Sequence, residues 1–122
     1  PMYEERRWGE YKVYDYSQYT DGTKSLTKHV TINAGCAQDY HVHRFKDEVI
    51  TVVNGQGELV VDGCLMKHSR GDTVSVRRGQ KHGIRAIQDL QLISVQISED
   101  STEGDTEVLD WSWASDSGSC QN

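Results

Sequence analysis

Four side chains of types that ligate metals stand at His41, His43, Glu48 and His82. Side chains alternate along an extended strand, so His41 and His43 project from one face into one space and Val42 faces away. Glu48 opens an apolar run in which Ile50 and Val52 share its parity, and this aims a carboxylate at the interior. His82 shares parity with Ile84 and Ala86, again placing an ionisable group on an otherwise apolar face. Three imidazoles and a carboxylate buried without partners would cost several kcal/mol, whereas joint coordination of one divalent cation satisfies all of them. Ligation of this kind suits Mn, Fe, Co, Ni, Zn or Cu and leaves two positions of an octahedron open to water or substrate. A substrate with adjacent hydroxyl and carbonyl oxygens would chelate there. Polarisation of its carbonyl would then favour proton movement between neighbouring carbons, an aldose–ketose isomerisation.

Strands must position these groups. Short segments rich in Val, Ile, Thr and Tyr, each bounded by Gly, Asp or Asn, predict strands at 11–16, 25–32, 48–54, 57–63, 72–76, 82–87 and 90–97. No stretch has helical periodicity. Asn54-Gly55 and Asp62-Gly63 supply the positive φ angles of two-residue turns and are expected to join consecutive antiparallel strands. Strands this short and evenly spaced are best relieved of free edges by a closed double sheet, so the expected fold is all-β, a jelly-roll barrel over residues 11–98. Residues 1–10 form a charged N-terminal arm with Tyr3 and Trp8, expected to add a strand or cover the barrel mouth. Residues 99–122 are acidic and polar around Trp111 and Trp113, which suggests a C-terminal segment docked by tryptophan and then a frayed end.

Composition narrows the function classes. A chain of 122 residues is the size of one domain. Its net charge of −6 provides no positive field for nucleic acid or an anionic membrane. No apolar run approaches the ~20 residues of a membrane span, and the charged N-terminus lacks the apolar core of a secretory signal. Cys36, Cys64 and Cys120 are odd in number and show no CxxC spacing, which predicts free thiols in a reducing cytoplasm. Cys36 precedes His41 by only a few residues but is expected to be a structural thiol. His29 and His68 stand apart from the ligand pattern and are read as ordinary polar histidines.

The ligand pattern resembles the cupin superfamily. Its first motif, G-x5-H-x-H-x(3 or 4)-E-x6-G, is similar to Gly35, His41, His43, Glu48 and Gly55 with every spacing met. Its second, G-x5-P-x-G-x2-H-x3-N, is similar to Gly71, Gly79 and His82, with Arg77 in place of the proline and Ala86 in place of the asparagine. The resemblance implies a single-domain double-stranded β-helix with one divalent metal, Zn, Mn, Fe, Co or Ni, held by His41, His43, Glu48 and His82.

A closer resemblance, over roughly residues 6–110, is to the C-terminal cupin domain of mannose-1-phosphate guanylyltransferase/type II phosphomannose isomerase proteins and its stand-alone relatives. It rests on Arg7-Trp8-Gly9-Glu10-Tyr11, Lys28 to Gly35, Gln38, His41-Val42-His43-Arg44, Gly79, His82 and Val95-Gln96. It implies a mannose-6-phosphate isomerase-like enzyme acting on a small phosphorylated sugar, with a homodimer as the expected assembly. Arg77, Arg78 and Lys81 beside the last ligand offer cations for the phosphate, although they also suit an exposed loop. Lys28, Gln38 and Gln96 are expected at the pocket wall from strand order. The same ligands would serve a metal-dependent dioxygenase or a non-catalytic cupin that binds a sugar or other small ligand. The sequence leaves turnover and simple binding both open.

Overall fold

The computed structural model describes residues 2–99 and 105–113. The described residues form eleven strands and no helix: β1 (Tyr3–Arg6), β2 (Gly9–Gln18), β3 (Lys24–Ile32), β4 (His41–His43), β5 (Lys46–Asn54), β6 (Gln56–Val61), β7 (Cys64–Ser69), β8 (Thr73–Val76), β9 (Lys81–Ala86), β10 (Leu90–Ser98) and β11 (Thr106–Val108). They make two antiparallel sheets, in the orders β1-β2-β3-β10-β5-β8 and β11-β4-β9-β6-β7. The chain crosses repeatedly between the sheets, giving the expected jelly roll, and the inward-facing residues of both sheets share one core.

Period-two alternation is plain in β10, where Leu90, Leu92, Ser94, Gln96 and Ser98 are buried while the residues between them are partly or fully exposed. The core is divided along the barrel axis. Ile32, Leu59, Ala86, Leu90 and Leu92 fill one part with aliphatic side chains. Towards the other end the same inward rows turn polar: Gln96 lies opposite Glu48, and Ser94 lies between Lys28 and Ile50. That change of chemistry within continuous strands leaves room for a cavity.

Seven strands match the expected segments, and β1, β4, β7 and β11 are additional. Three of these are only three or four residues long, and β7 is a mixed-polarity edge strand without clean alternation. The two expected hairpins part ways. Asp62-Gly63 links β6 to β7 as a two-residue turn, with both residues at positive φ (48° and 80°) and Val61 paired with Cys64. Asn54-Gly55 joins no hairpin, because β5 pairs with β10 and β8 while β6 pairs with β7 and β9. Gly55 instead carries the chain from one sheet to the other with φ at 91°, so close to Asp89 that a Cβ would lie 2.1 Å from its carbonyl oxygen.

The N-terminal arm both adds β1 to the sheet edge and sends Arg6 and Trp8 to the cavity. In the C-terminal segment β11 pairs with β4, Trp111 stacks on Tyr40 with ring centroids 4.9 Å apart, and Arg85 lies over Trp113. The expected frayed end falls on residues outside those described. The expectation of three free thiols is corrected: Cys64 is disulfide-bonded, whereas Cys36 is a free thiol packed against the core and Cys120 lies outside the described residues. An odd count and missing CxxC spacing say nothing about pairing between distant cysteines, so the argument from thiols to a reducing cytoplasm no longer holds. Among the described residues no helix is long and apolar enough to cross a membrane.

Candidate metal centre

The two sheets contribute the four ligand-type side chains from facing walls. β4 supplies His41 and His43, β9 supplies His82 directly across the ladder from His41, and β5 supplies Glu48 from the other sheet. Imidazole centroids lie 4.2 Å apart for His41 and His82, 4.8 Å for His41 and His43, and 5.5 Å for His43 and His82. One potential ligand atom from each of the four residues lies within 4.8 Å of all the others. Metal bonds of ~2.0–2.2 Å span about 4 Å across a coordination sphere, so only slight inward movement separates this arrangement from a closed N₃O shell.

The remaining nitrogen of each ring is held by the protein. His41 Nδ1 donates to the Asp39 carbonyl at 2.7 Å and His82 Nδ1 donates to the Gln80 carbonyl at 3.2 Å. A carbonyl can only accept, so both rings carry their proton on Nδ1 and offer Nε2. His43 Nδ1 sits 3.0 Å from Thr106 Oγ1, and its Nε2 is buried and without a hydrogen-bond partner among the described residues. Glu48 accepts from Ser94 Oγ on one oxygen and presents the other, Oε1, 3.2 Å from His82 Nε2 and 3.8 Å from His43 Nε2. A carboxylate oxygen and an imidazole lone pair facing each other are both electron donors. Only a proton or a cation between them relieves the contact, and the orphaned His43 Nε2 points the same way. These residues fit a divalent metal.

The electrostatics suit metal uptake. Burial, reinforced by the neighbouring His41, pushes His43 down to about 4, and burial with the adjacent His82 lowers His41. Both rings are therefore neutral and able to ligate at pH 7. Burial by itself would raise the Glu48 carboxyl. The contact with His82, the hydrogen bond from Ser94 and the surrounding imidazoles outweigh it and hold Glu48 at about 2, fully ionised.

The cluster lies at a cavity of about 260 Å³, below the usual 300–1,000 Å³ of drug-sized pockets and suited to a small molecule. Lys28, Gln38 and Gln96 all line it, as strand order suggested. Arg77, Arg78 and Lys81 do not. Arg78 is engaged with Asp47 and Glu99, Arg77 is exposed in the turn before β9, and Lys81 alternates away from His82 and is exposed beside Asp62. The cations that do reach the cavity are Lys28 and Arg6. Cys36 does not line it, His29 stacks on Tyr14, and His68 bonds to the Met66 carbonyl away from the cluster. Ser94 and Thr106 escaped the sequence analysis. Ser94 was legible, since it shares parity with Leu92 and Gln96, whereas nothing in the acidic C-terminal segment marks Thr106.

Comparison with known proteins adds a family and a fold. The cupin domain family matches residues 28–96, more than half of the chain. No curated protein matches the sequence. Among solved structures, the capsular polysaccharide assembling protein CapF from Staphylococcus aureus aligns with a TM-score of 0.70 at 15% identity, covering 90% of this chain and 34% of that one. KdgF from Halomonas sp. aligns at 0.57 and 21% identity, covering 72% and 88%. A proposed sugar phosphate isomerase from Acidithiobacillus ferrooxidans aligns at 0.56 and 21% identity, covering 60% and 49%. The chain thus spans about half of that isomerase and a third of CapF.

Proposed function

Since the chain belongs to the cupin domain family, we propose that it is a metal-dependent enzyme that isomerises a small sugar-like substrate, in the manner of a mannose-6-phosphate isomerase. The observation that carries this reading is the convergence of three Nδ1-anchored imidazoles and an ionised Glu48 on a small cavity, with His43 Nε2 buried and unpartnered. His41, His43, Glu48 and His82 would hold one divalent cation. That cation supplies Lewis-acid polarisation of a substrate carbonyl.

The chain's own residues do the rest. Three neutral imidazoles and one carboxylate leave a divalent site with net positive charge, which favours an oxygen-rich, electron-donating substrate. Gln38 and Gln96 line the cavity with amides that donate to hydroxyls and accept from them. Trp8 and Tyr11 add aromatic surface of the kind that packs against sugar C–H groups. The fold shared with the proposed sugar phosphate isomerase from Acidithiobacillus ferrooxidans supports the choice of assay. A homodimer is part of the proposal. Val49, Thr51, Ile93 and Val95 alternate with inward residues and form an uncharged patch on the outer face of β5 and β10.

Metal analysis of purified protein followed by aldose–ketose assays, with and without chelator, tests the reading. Expected are one equivalent of metal and chelator-sensitive interconversion. Protein that carries iron, consumes oxygen with a bound substrate and forms no isomer would replace the isomerase by an oxidative cupin.

A further inference from the structure

Lys28 is the anomaly of the cavity. It stands on the inward face of β3, in the row that continues through Ser94 on β10 to Ile50 on β5, and lines the same cavity as the four ligand-type residues. Its ammonium lies 4.7 Å over the Tyr11 ring, yet it makes neither an ion pair nor a hydrogen bond among the described residues. A half-buried ammonium without an anionic partner is costly, and a tyrosine face offsets only part of the cost. Burial accordingly lowers the Lys28 pKa. The other cation at the cavity, Arg6, is already paired with Glu4. Of the carboxylates that line the cavity, Asp39 pairs with Arg7, and Glu48, on the same sheet as Lys28, acts on its charge without an ion pair and belongs to the histidine cluster, so Lys28 is left as an uncommitted positive charge.

That count bears on the substrate. A phosphate monoester carries about −1.5 to −2 charges and three strong acceptor oxygens, and calls for more than one ammonium. Arg77, Arg78 and Lys81, the cations first expected to meet it, lie away from the cavity. A carboxylate carries one charge, matches one ammonium, and can take further hydrogen bonds from the amides of Gln38 and Gln96.

We propose that the substrate is a small hydroxylated carboxylic acid, such as a sugar acid, whose carboxylate pairs with Lys28 while its hydroxyl and carbonyl oxygens face the histidine cluster. The inference rests on the metal-site reading above and narrows its substrate class.

Calorimetric titration of the metal-loaded protein with galacturonate, galactose and galactose 6-phosphate tests it. These probes differ only in bearing a carboxylate, an alcohol or a phosphate at one carbon. The acid is expected to bind at least about tenfold tighter than either of the others. Lys28→Met should erase that preference at unchanged metal content, and Lys28→Arg should retain part of it. The wild-type series decides the matter even if a variant folds poorly. Tightest binding of galactose 6-phosphate would overturn the inference in favour of a phosphorylated substrate. Equal binding of acid and neutral sugar, with the neutral sugar isomerised, would overturn it and leave the isomerase standing. Binding of none of the three would overturn both.

Discussion

Thr106 Oγ1 lies 3.0 Å from Nδ1 of His43, and Thr106 is supplied by a strand beyond the region matched by the cupin family. The β4–β11 ladder places the two residues directly opposite each other. Asp105 next to it secures the same corner: its Oδ1 accepts from the Arg44 and Phe45 amides, while Oδ2 lies 3.8 Å from His43 Nδ1. Thr106 is thus a positioning residue that engages Nδ1 of His43 and turns its Nε2 towards the cluster.

Thr106→Val keeps the side-chain shape and removes the acceptor. Metal affinity should fall by about tenfold, the scale seen when the hydrogen-bond partner of a ligand histidine is lost. Nitrogen NMR of the metal-free protein should show the His43 tautomers mixing, and Thr106→Ser should restore both properties. Unchanged affinity and tautomer in the valine variant would reduce Thr106 to a packing role.

His41→Ala or His82→Ala should abolish stoichiometric metal, as read by elemental analysis, because each removes a converging nitrogen. His68→Ala should leave metal content intact, since that ring bonds to the Met66 carbonyl elsewhere. Equal metal in all three proteins would refute the ligand assignment.

The metal-free protein should lose stability as pH falls. Unfolded His43 takes up its proton near its ordinary value of 6.5, whereas the folded ring resists until about 4, so the unfolded state binds more protons in that window. Glu48 acts in the same direction lower down. Its stabilisation is present above the ordinary 4.5 and is lost as pH drops towards about 2. Melting temperatures should therefore decline steadily from pH 7 to pH 4, the His43 part being on the order of 3 kcal/mol. His43→Gln should flatten the upper half of that decline. A wild-type profile level through the window would contradict the burial of a neutral His43.

Gly55→Ala should destabilise the barrel by about 2 kcal/mol or more, measurable by urea denaturation, because the added methyl would meet the Asp89 carbonyl oxygen at a positive φ. Gly63→Ala also falls at positive φ but meets nothing within 4 Å, so it should cost less.

The candidate ligand set and the β class followed from local regularities. Parity along a strand is a property of neighbouring residues, so His41 with His43, Glu48 with Ile50, and His82 with Ile84 already stated which side chains share a face. The Asp62-Gly63 turn was legible for the same reason, since two residues with positive φ make their own hairpin. Asn54-Gly55 has equally good local chemistry, yet its partners are chosen by sheet topology, and there the chain changes sheets. The basic run Arg77 to Lys81 shows the same limit. Proximity to His82 in sequence suggested a phosphate site, but alternation and the Asp47 and Asp62 contacts keep those residues outside the cavity. Lys28 and Thr106, 78 positions apart in the chain, meet the cluster only because β3 and β11 lie on opposite walls of one barrel. Residue types and spacing determined what could bind a metal. Long-range strand pairing, which no local stretch encodes, decided which charges and hydroxyls surround it.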